Sequence, residues 1–375
     1  MAARGSRVVR PRMMSSVPSN PLKLSPEEVG PAIPAVLGIG QAHFVSQALY
    51  AVVKLNVPNI IGADSLSAEQ IAAKLPGTPN TEMLERSLRL LSAATGLFVE
   101  SANAEGAAAY GLSTMGALLQ TGIEGQPSMA CGILHWLEKP TWMAWAELPA
   151  YIAGEGDVPY AAANGKPVFD FYAENPESAA PFNEFMSFFS FSELPIVTEM
   201  FDWKPYEGKT VVDVGGSYGP VMGALKAKFP SITTISFDLP EVIAAAGSPP
   251  EGVELVGGDF FDASTIPKTD GAIFMKHILH DWNDEDSQKI LSSCKAALLP
   301  GGKVIVADAV LPGPGEASDL KVPQSQLDTL MGVIGGKERS RVQWDALAAA
   351  SGFVVEDVLQ TPSPACQIIT LAVKA

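Results

Sequence analysis

The residues best equipped for chemistry lie in the run Phe274-Met-Lys-His-Ile-Leu-His-Asp-Trp-Asn-Asp-Glu-Asp286. An imidazole has an ordinary pKa of about 6.5, so His280 can take a proton from a hydroxyl near neutral pH. A phenol, with a pKa of about 10, is a poor nucleophile until that proton is gone. Lys276 places a cation close by, and His277 reads as a structural histidine. Three aspartates, Asp213, Asp238 and Asp259, stand where short apolar runs end. A carboxylate in that position can hold both hydroxyls of a ribose. The pattern is a proton acceptor beside a place for a nucleoside.

Such groups need a scaffold that gathers strand ends. After residue 205, apolar or β-branched runs alternate with helical segments: Thr210–Val214, Thr234–Phe237, Val253–Val256, Ala272–Met275, Val304–Ala307, Val354–Val358 and Ile368–Val373. This alternation predicts an α/β fold, a mainly parallel sheet with helices on both faces and a ligand crevice at the carboxyl edge. The final run looks antiparallel. In Val211-Val-Asp-Val-Gly-Gly-Ser-Tyr-Gly219 a strand enters a glycine-rich turn, where Gly215 and Gly216 allow close approach of a ligand to the backbone. The spacing is not GxGxxG, which counts against a nicotinamide oxidoreductase. Asn283 reads as an N-cap, with Asp284, Glu285 and Asp286 in the favourable first turn.

From about residue 23 to 165 the pattern is helical. Ser67 and Gln70 form a capping-box signature, and apolar residues at helical spacing follow from Thr81. Tyr110-Gly-Leu-Ser-Thr then reads as a short strand, giving a winged-helix-like arrangement. It lacks a basic recognition face, and a formal charge of −16 repels nucleic acid, so dimerisation is the expected use. The uncharged stretch from Gly30 to Val53 is long enough to span a membrane. His43, Ser46 and Gln47 put polar groups on one of its faces, so an interface helix is expected instead of a span. Cys131, Cys294 and Cys366 are widely spaced and form no CxxC, so neither a disulfide framework nor a metal site is expected, and a reducing compartment is. Residues 1–22 form a basic tail with Arg4, Arg7, Arg10 and Arg12 and no acid before Glu27. That composition suits an organelle transit peptide or a plain tail, so the location reads as cytoplasmic, or organellar in the first case. The expected domains are 23–165 and 166–375, with the bend near Gly165–Pro176.

Taken together, the motifs resemble the plant caffeic-acid and acetylserotonin (hydroxyindole) type of O-methyltransferase, a class I family that uses S-adenosylmethionine. The likeness runs from about Pro34 to the C-terminus. It includes Phe182-Asn-Glu-Phe-Met-Ser, the glycine turn, Asp238-Leu-Pro, Gly258-Asp-Phe-Phe, Lys276…His280-Asp-Trp, Leu299-Pro-Gly-Gly-Lys and Gly335-Gly-Lys-Glu-Arg. The resemblance implies a Rossmann-like seven-stranded methyltransferase sheet with its last strand antiparallel. It also implies an N-terminal winged-helix-like domain that builds a homodimer and closes the partner's pocket. Asp213, Gly215, Gly216, Asp238 and Leu239 then fall to the adenosyl and ribose parts of the cofactor, and Asp259 and Phe260 flank the adenine. Ser190 and Lys276 contact the cofactor. His280 is the base, flanked by Asp308 and Glu338, for a small-molecule acceptor in a pocket walled by Trp136, Trp142, Trp145, Met186 and Phe189. Two positions depart from the pattern. Ser217 replaces a third glycine, and Asp308 replaces a glutamate that is one methylene longer, which puts its contact with His280 in question. Beside this reading stand an S-methyltransferase acting on a small thioether or thiol acid, where a base matters less, and a non-catalytic cofactor-binding dimer.

Overall fold

The computed structural model describes residues 22–374, so the arginine-rich start lies outside the described residues. The chain separates into two compact units. One comprises the residues up to Gly156 together with Tyr172–Phe185, and the other comprises Asp157–Phe171 with Met186–Ala375.

The first unit opens with a helix at Pro26–Lys54, begun by a capping box between Ser25 and Glu28. The box expected at Ser67 is present: Gln70 N lies 3.3 Å from Ser67 Oγ, and Ser67 N lies 2.8 Å from Gln70 Oε1. The helix Thr81–Thr95 buries Leu84, Leu88 and Leu91 on one face and stops at Gly96, whose φ of 67° few other residues tolerate. An antiparallel hairpin of β1 (Phe98–Ala102) and β2 (Ala108–Leu112) follows. Phe98 and Tyr110 from the hairpin pack with Val52, Ile71 and Leu88 of the helices, so the helices and the hairpin share one core. This is the helix pair and strand pair of the winged-helix reading.

The second unit holds seven strands in one sheet: β3 (Thr210–Val214), β4 (Thr233–Asp238), β5 (Val253–Gly257), β6 (Ala272–Lys276), β7 (Lys303–Asp308), β10 (Phe353–Leu359) and β11 (Gln367–Val373). Two short strands, β8 (Val310–Leu311) and β9 (Arg339–Ser340), pair apart from it. The sheet order is β10-β11-β7-β6-β3-β4-β5. Strands β3 to β7 are parallel, and β11 runs antiparallel between β7 and β10. Helices such as Pro220–Lys228 and Asp284–Ala297 cover the strands, so Val211, Val212, Ile273, Phe274, Val304 and Ile305 are fully buried. Burial on both faces is why the central strands are continuous apolar runs, and each such side chain contributes about 1.5–3 kcal/mol. The order reverses between β6 and β3, and a crevice opens there at the carboxyl ends. The three cysteines are buried and free.

Candidate active site

At the carboxyl end of β3 the chain turns through Gly215 and Gly216. A Cβ at Gly216 would sit 2.4 Å from Ser236 Oγ and 2.7 Å from Asp213 Oδ2, and one at Gly215, whose φ is 79°, would meet Ile278 at 2.3 Å. Both positions therefore demand glycine. Ser217 follows with a φ of 52°, which explains a glycine preference at this point and costs on the order of 1 kcal/mol for serine. The Ser217 amide donates to Asp238 Oδ2 at 2.8 Å, and the Leu239 amide donates to Oδ1 at 2.7 Å. The carboxylate that ends β4 is thus aimed by two backbone donors while remaining half exposed. Past β5, Asp259 is exposed and accepts from the Phe261 amide at 2.8 Å, and Phe260 lies 5.9 Å from the Trp282 ring. Asp213 differs from these. It is buried beneath the glycine turn, and burial pushes it up to about 7 against the pull of Lys276 and with a further push from Asp238.

His280 stands in a short helical turn, Leu279–Asp281, just beyond β6, and is buried. Its Nδ1 lies 2.8 Å from Oε1 of buried Glu338. That pairing assigns the Nδ1 proton to the hydrogen bond and leaves Nε2 as the basic nitrogen. Asp281 Oδ1 is 3.6 Å from Nε2. Burial disfavours a charged ring, but Asp281, Glu338 and Asp308 outweigh it and raise His280 to about 10. Asp308 ends β7, fully buried, and among the described residues its carboxyl has no hydrogen-bond partner. Its nearest basic nitrogen is His277 Nδ1, at 3.8 Å. The shorter side chain therefore acts on His280 through charge and not through a bond. Burial holds Asp308 up at about 7, with His280 pulling the other way.

The loop that carries Glu338 also fixes the turn that carries His280. Lys337 N donates to the His280 carbonyl at 2.7 Å, and a Cβ at Gly336 would fall 2.2 Å from that same oxygen. Arg339 is completely buried and donates to the Leu279 carbonyl at 2.8 Å, the Trp282 carbonyl at 2.9 Å, Ser287 Oγ at 3.0 Å and Asp284 Oδ1 at 2.9 Å. Asn283 caps the helix that follows, as expected, accepting from Asp286 N at 2.9 Å. The run Gly335-Gly-Lys-Glu-Arg signalled Glu338. The parts played by Gly336 and Arg339 emerge only from the fold.

Ser190 and Lys276 come together, with 3.3 Å between Oγ and Nζ. Sequence reasoning missed Glu193, near the end of the helix Pro176–Pro195. Its carboxylate is 2% exposed, with Oε2 2.7 Å from His277 Nε2 and 3.2 Å from Lys276 Nζ. The one signal was a carboxylate inside the apolar run Phe188-Phe-Ser-Phe-Ser-Glu-Leu-Pro195. His277 has a φ of 56°, and its ring stacks on His280 with centroids 5.1 Å apart and lies 5.6 Å from Phe189. Of the other expected pocket residues, Met186 is half-buried in this unit. Trp136, Trp142 and Trp145 belong to the first unit, where Trp136 meets Phe185 edge to face.

A seven-stranded, mainly parallel sheet with antiparallel β11 set between β7 and β10 is the sheet of a class I methyltransferase, and the aimed carboxylate at the end of β4 stands at its ligand edge. Comparison with known proteins narrows the class. Residues 145–354 match the O-methyltransferase domain family, and residues 39–122 match the O-methyltransferase dimerisation domain. The (iso)eugenol O-methyltransferase of Clarkia breweri is 38% identical over 329 residues, spanning 84% of this chain and 87% of that protein. Caffeic acid 3-O-methyltransferase of the same plant is 37% identical over 330 residues, with coverage of 84% and 87%. The solved structure of mitomycin 7-O-methyltransferase MmcR superposes with a TM-score of 0.80 at 26% identity, covering 94% of this chain and 100% of that one. The chain belongs to the S-adenosylmethionine-dependent O-methyltransferase family. The family model and the relatives named here are all O-methyltransferases. The bare glycine turn, the Asp238 carboxylate and the Asp259–Phe260 edge suit the sugar and base of that cofactor.

Proposed function

We propose that this protein methylates a phenolic hydroxyl of a small aromatic molecule, that it works as a homodimer, and that His280 is its general base. The observation that carries this reading is the 2.8 Å bond from His280 Nδ1 to buried Glu338, which orients the ring and leaves Nε2 to take a proton. When bound, S-adenosylmethionine supplies a methyl group on a cationic sulfonium. Asp238 and Leu239 would hold its ribose, Asp259 and Phe260 would flank its base, and Ser190 and Lys276 would also contact it. Asp213 supports the glycine turn from beneath. His280 accepts the acceptor's proton at Nε2, and Glu338, Asp281 and Asp308 stabilise the imidazolium that results.

Asp281, Glu338 and Asp308 raise His280 above an ordinary imidazole, which suits the removal of a proton held as firmly as a phenol's. In the free enzyme the ring holds its own proton at neutral pH. It must release that proton first, and a second cation in the pocket favours the release. The relatives named above act on eugenol-type and caffeic-acid phenols, which agrees with this choice.

The helix Pro26–Lys54 leaves Ile33, Val36, Leu37, Ile39 and Phe44 exposed, and this supports the homodimer. The helix is long and apolar enough to cross a membrane by length and composition. The dimerisation-domain match that starts at residue 39 favours a protein partner for it.

The test is methyl transfer from radiolabelled S-adenosylmethionine to a panel of phenols, aliphatic alcohols and thioether acids. Labelled phenols are expected, with turnover of His280→Ala down at least about a hundredfold while cofactor binding persists. Unchanged turnover in that variant contradicts the base, and label on thioethers alone contradicts the acceptor.

A further inference from the structure

Two imidazoles, His277 and His280, and four carboxylates, Glu193, Asp281, Asp308 and Glu338, share the space beyond β6, and the base at His280 is hydrogen-bonded to Glu338. His277 and Lys276 are joined through Glu193. Its Oε2 takes His277 Nε2 at 2.7 Å and Lys276 Nζ at 3.2 Å, while Oε1 accepts from Ser363 Oγ at 3.0 Å. A carboxylate so surrounded stays ionised. Burial works against its charge, and His277 and Lys276 outweigh burial and hold it down at about 2. His277 goes the other way, lowered to about 4 by burial and by Lys276 against the pull of Glu193, so it is neutral at physiological pH. A neutral imidazole carries one proton. An ionised carboxylate at 2.7 Å from Nε2 requires the proton to be there. His277 Nδ1 is then a bare lone pair, and it points at Asp308 Oδ1 across 3.8 Å, too long for a direct hydrogen bond. Both sides of that gap are buried and unpartnered among the described residues.

We propose that Glu193 is a positioning residue for the base: it holds His277 as the Nε2–H tautomer, so that the bare Nδ1 offers Asp308 no donor and favours the protonated carboxyl beside His280. The consequence falls on the catalytic ring. Asp281 and Glu338 already raise His280, and a fully ionised Asp308 raises it further. Were His277 protonated at Nδ1 instead, the positive end of that N–H would face Asp308 across the 3.8 Å gap, stabilise the anion and make the base harder to deprotonate. The charged groups that face this pair enter the balance: Glu193 from the helix Pro176–Pro195, Lys276 from the end of β6, His280 and Asp281 from the turn beyond it, Glu338 from the loop before β9, Arg339 from the start of β9, and Asp308 from the end of β7. The positive φ of His277 turns its ring into this position. Glu193 thereby tunes a proton it never touches.

The kinetic part of this proposal rests on His280 as the base, whereas the tautomer does not. The chain has only four histidines, so the full-length protein labelled with ¹⁵N-histidine gives a spectrum that His277→Asn assigns. The wild-type spectrum is expected to show His277 protonated at Nε2, bare at Nδ1 and neutral from about pH 5.5 to about 8.5. Glu193→Met removes the acceptor. It is expected to move the proton to Nδ1 and to shift the acidic limb of the pH–rate profile upward by about one pH unit. Glu193→Gln keeps an amide oxygen at that point and is expected to restore both tautomer and limb. A wild-type His277 protonated at Nδ1, or doubly protonated at pH 7, overturns the proposal. So does a Glu193→Met enzyme that is slower but keeps the wild-type limb, the mark of a purely structural role. If Glu193→Met fails to fold, the wild-type spectrum and the Glu193→Gln limb still decide. A wild type with no acidic limb counts against the base at His280, and the spectrum still decides the tautomer.

Discussion

In the proposed mechanism His280 begins the catalytic cycle holding a proton. Its level is raised from about 6.5 to about 10, so the basic form is the minor one at neutral pH and grows as pH rises. The ratio kcat/KM should climb by about tenfold per pH unit on the acidic side of that level, which a profile from about pH 6 to about pH 10 will show. A plateau already reached near pH 7 would mean that another group sets the limb. Stability runs the opposite way. A histidine raised on folding stabilises the fold fully below its unfolded value, and that contribution is lost as pH rises through the folded one. At this scale the sequence displayed His280 and Glu338 because both sit in compact motifs, and it flagged the short Asp308. It hid Glu193 and the tautomer of His277, since their contact joins a helix to a distant strand end and no local spacing encodes it.

Two neighbouring loops carry the site, and each holds the other. Arg339 ties the Leu279 and Trp282 carbonyls to the segment that bears Glu338. Replacing it with methionine removes a charged donor from the Leu279 and Trp282 carbonyls and from Asp284, so Arg339→Met should lose about 2–3 kcal/mol in a denaturant titration. Gly336→Ala makes a sharper case. Its Cβ would lie 2.2 Å from the His280 carbonyl, so the base must move. Turnover should fall by about a hundredfold, the scale of an ångström-sized misplacement, with the melting temperature less affected. A variant with full activity would show that the loop yields without disturbing the ring. The seven strands were legible because each carries a short β-branched or apolar run that alternates with a helical segment. Strands β8 and β9 were not. They are two residues long and exist through the pairing of Val310 with Arg339, which only the folded chain brings about.

For the whole molecule, the apolar residues left exposed along Pro26–Lys54 call for a partner surface. Sedimentation without detergent should give a dimer, and Val36→Asp combined with Ile39→Asp should weaken it. A monomeric wild type would remove the proposed assembly. The two-part organisation was visible in the change from helical periodicity to alternating strands. The passage of Tyr172–Phe185 into the first unit was not, because it depends on which core those aromatics join. The proposed reaction is removal of a proton from oxygen as the methyl group arrives. The sharpest test gives His280→Ala two phenols of one scaffold, one ionising at about 10 and one nitro-substituted so that it ionises near neutral pH. A loss of at least about a hundredfold is expected on the first and less than about tenfold on the second, which brings its own anion. Equal losses on the two acceptors would contradict a base at His280.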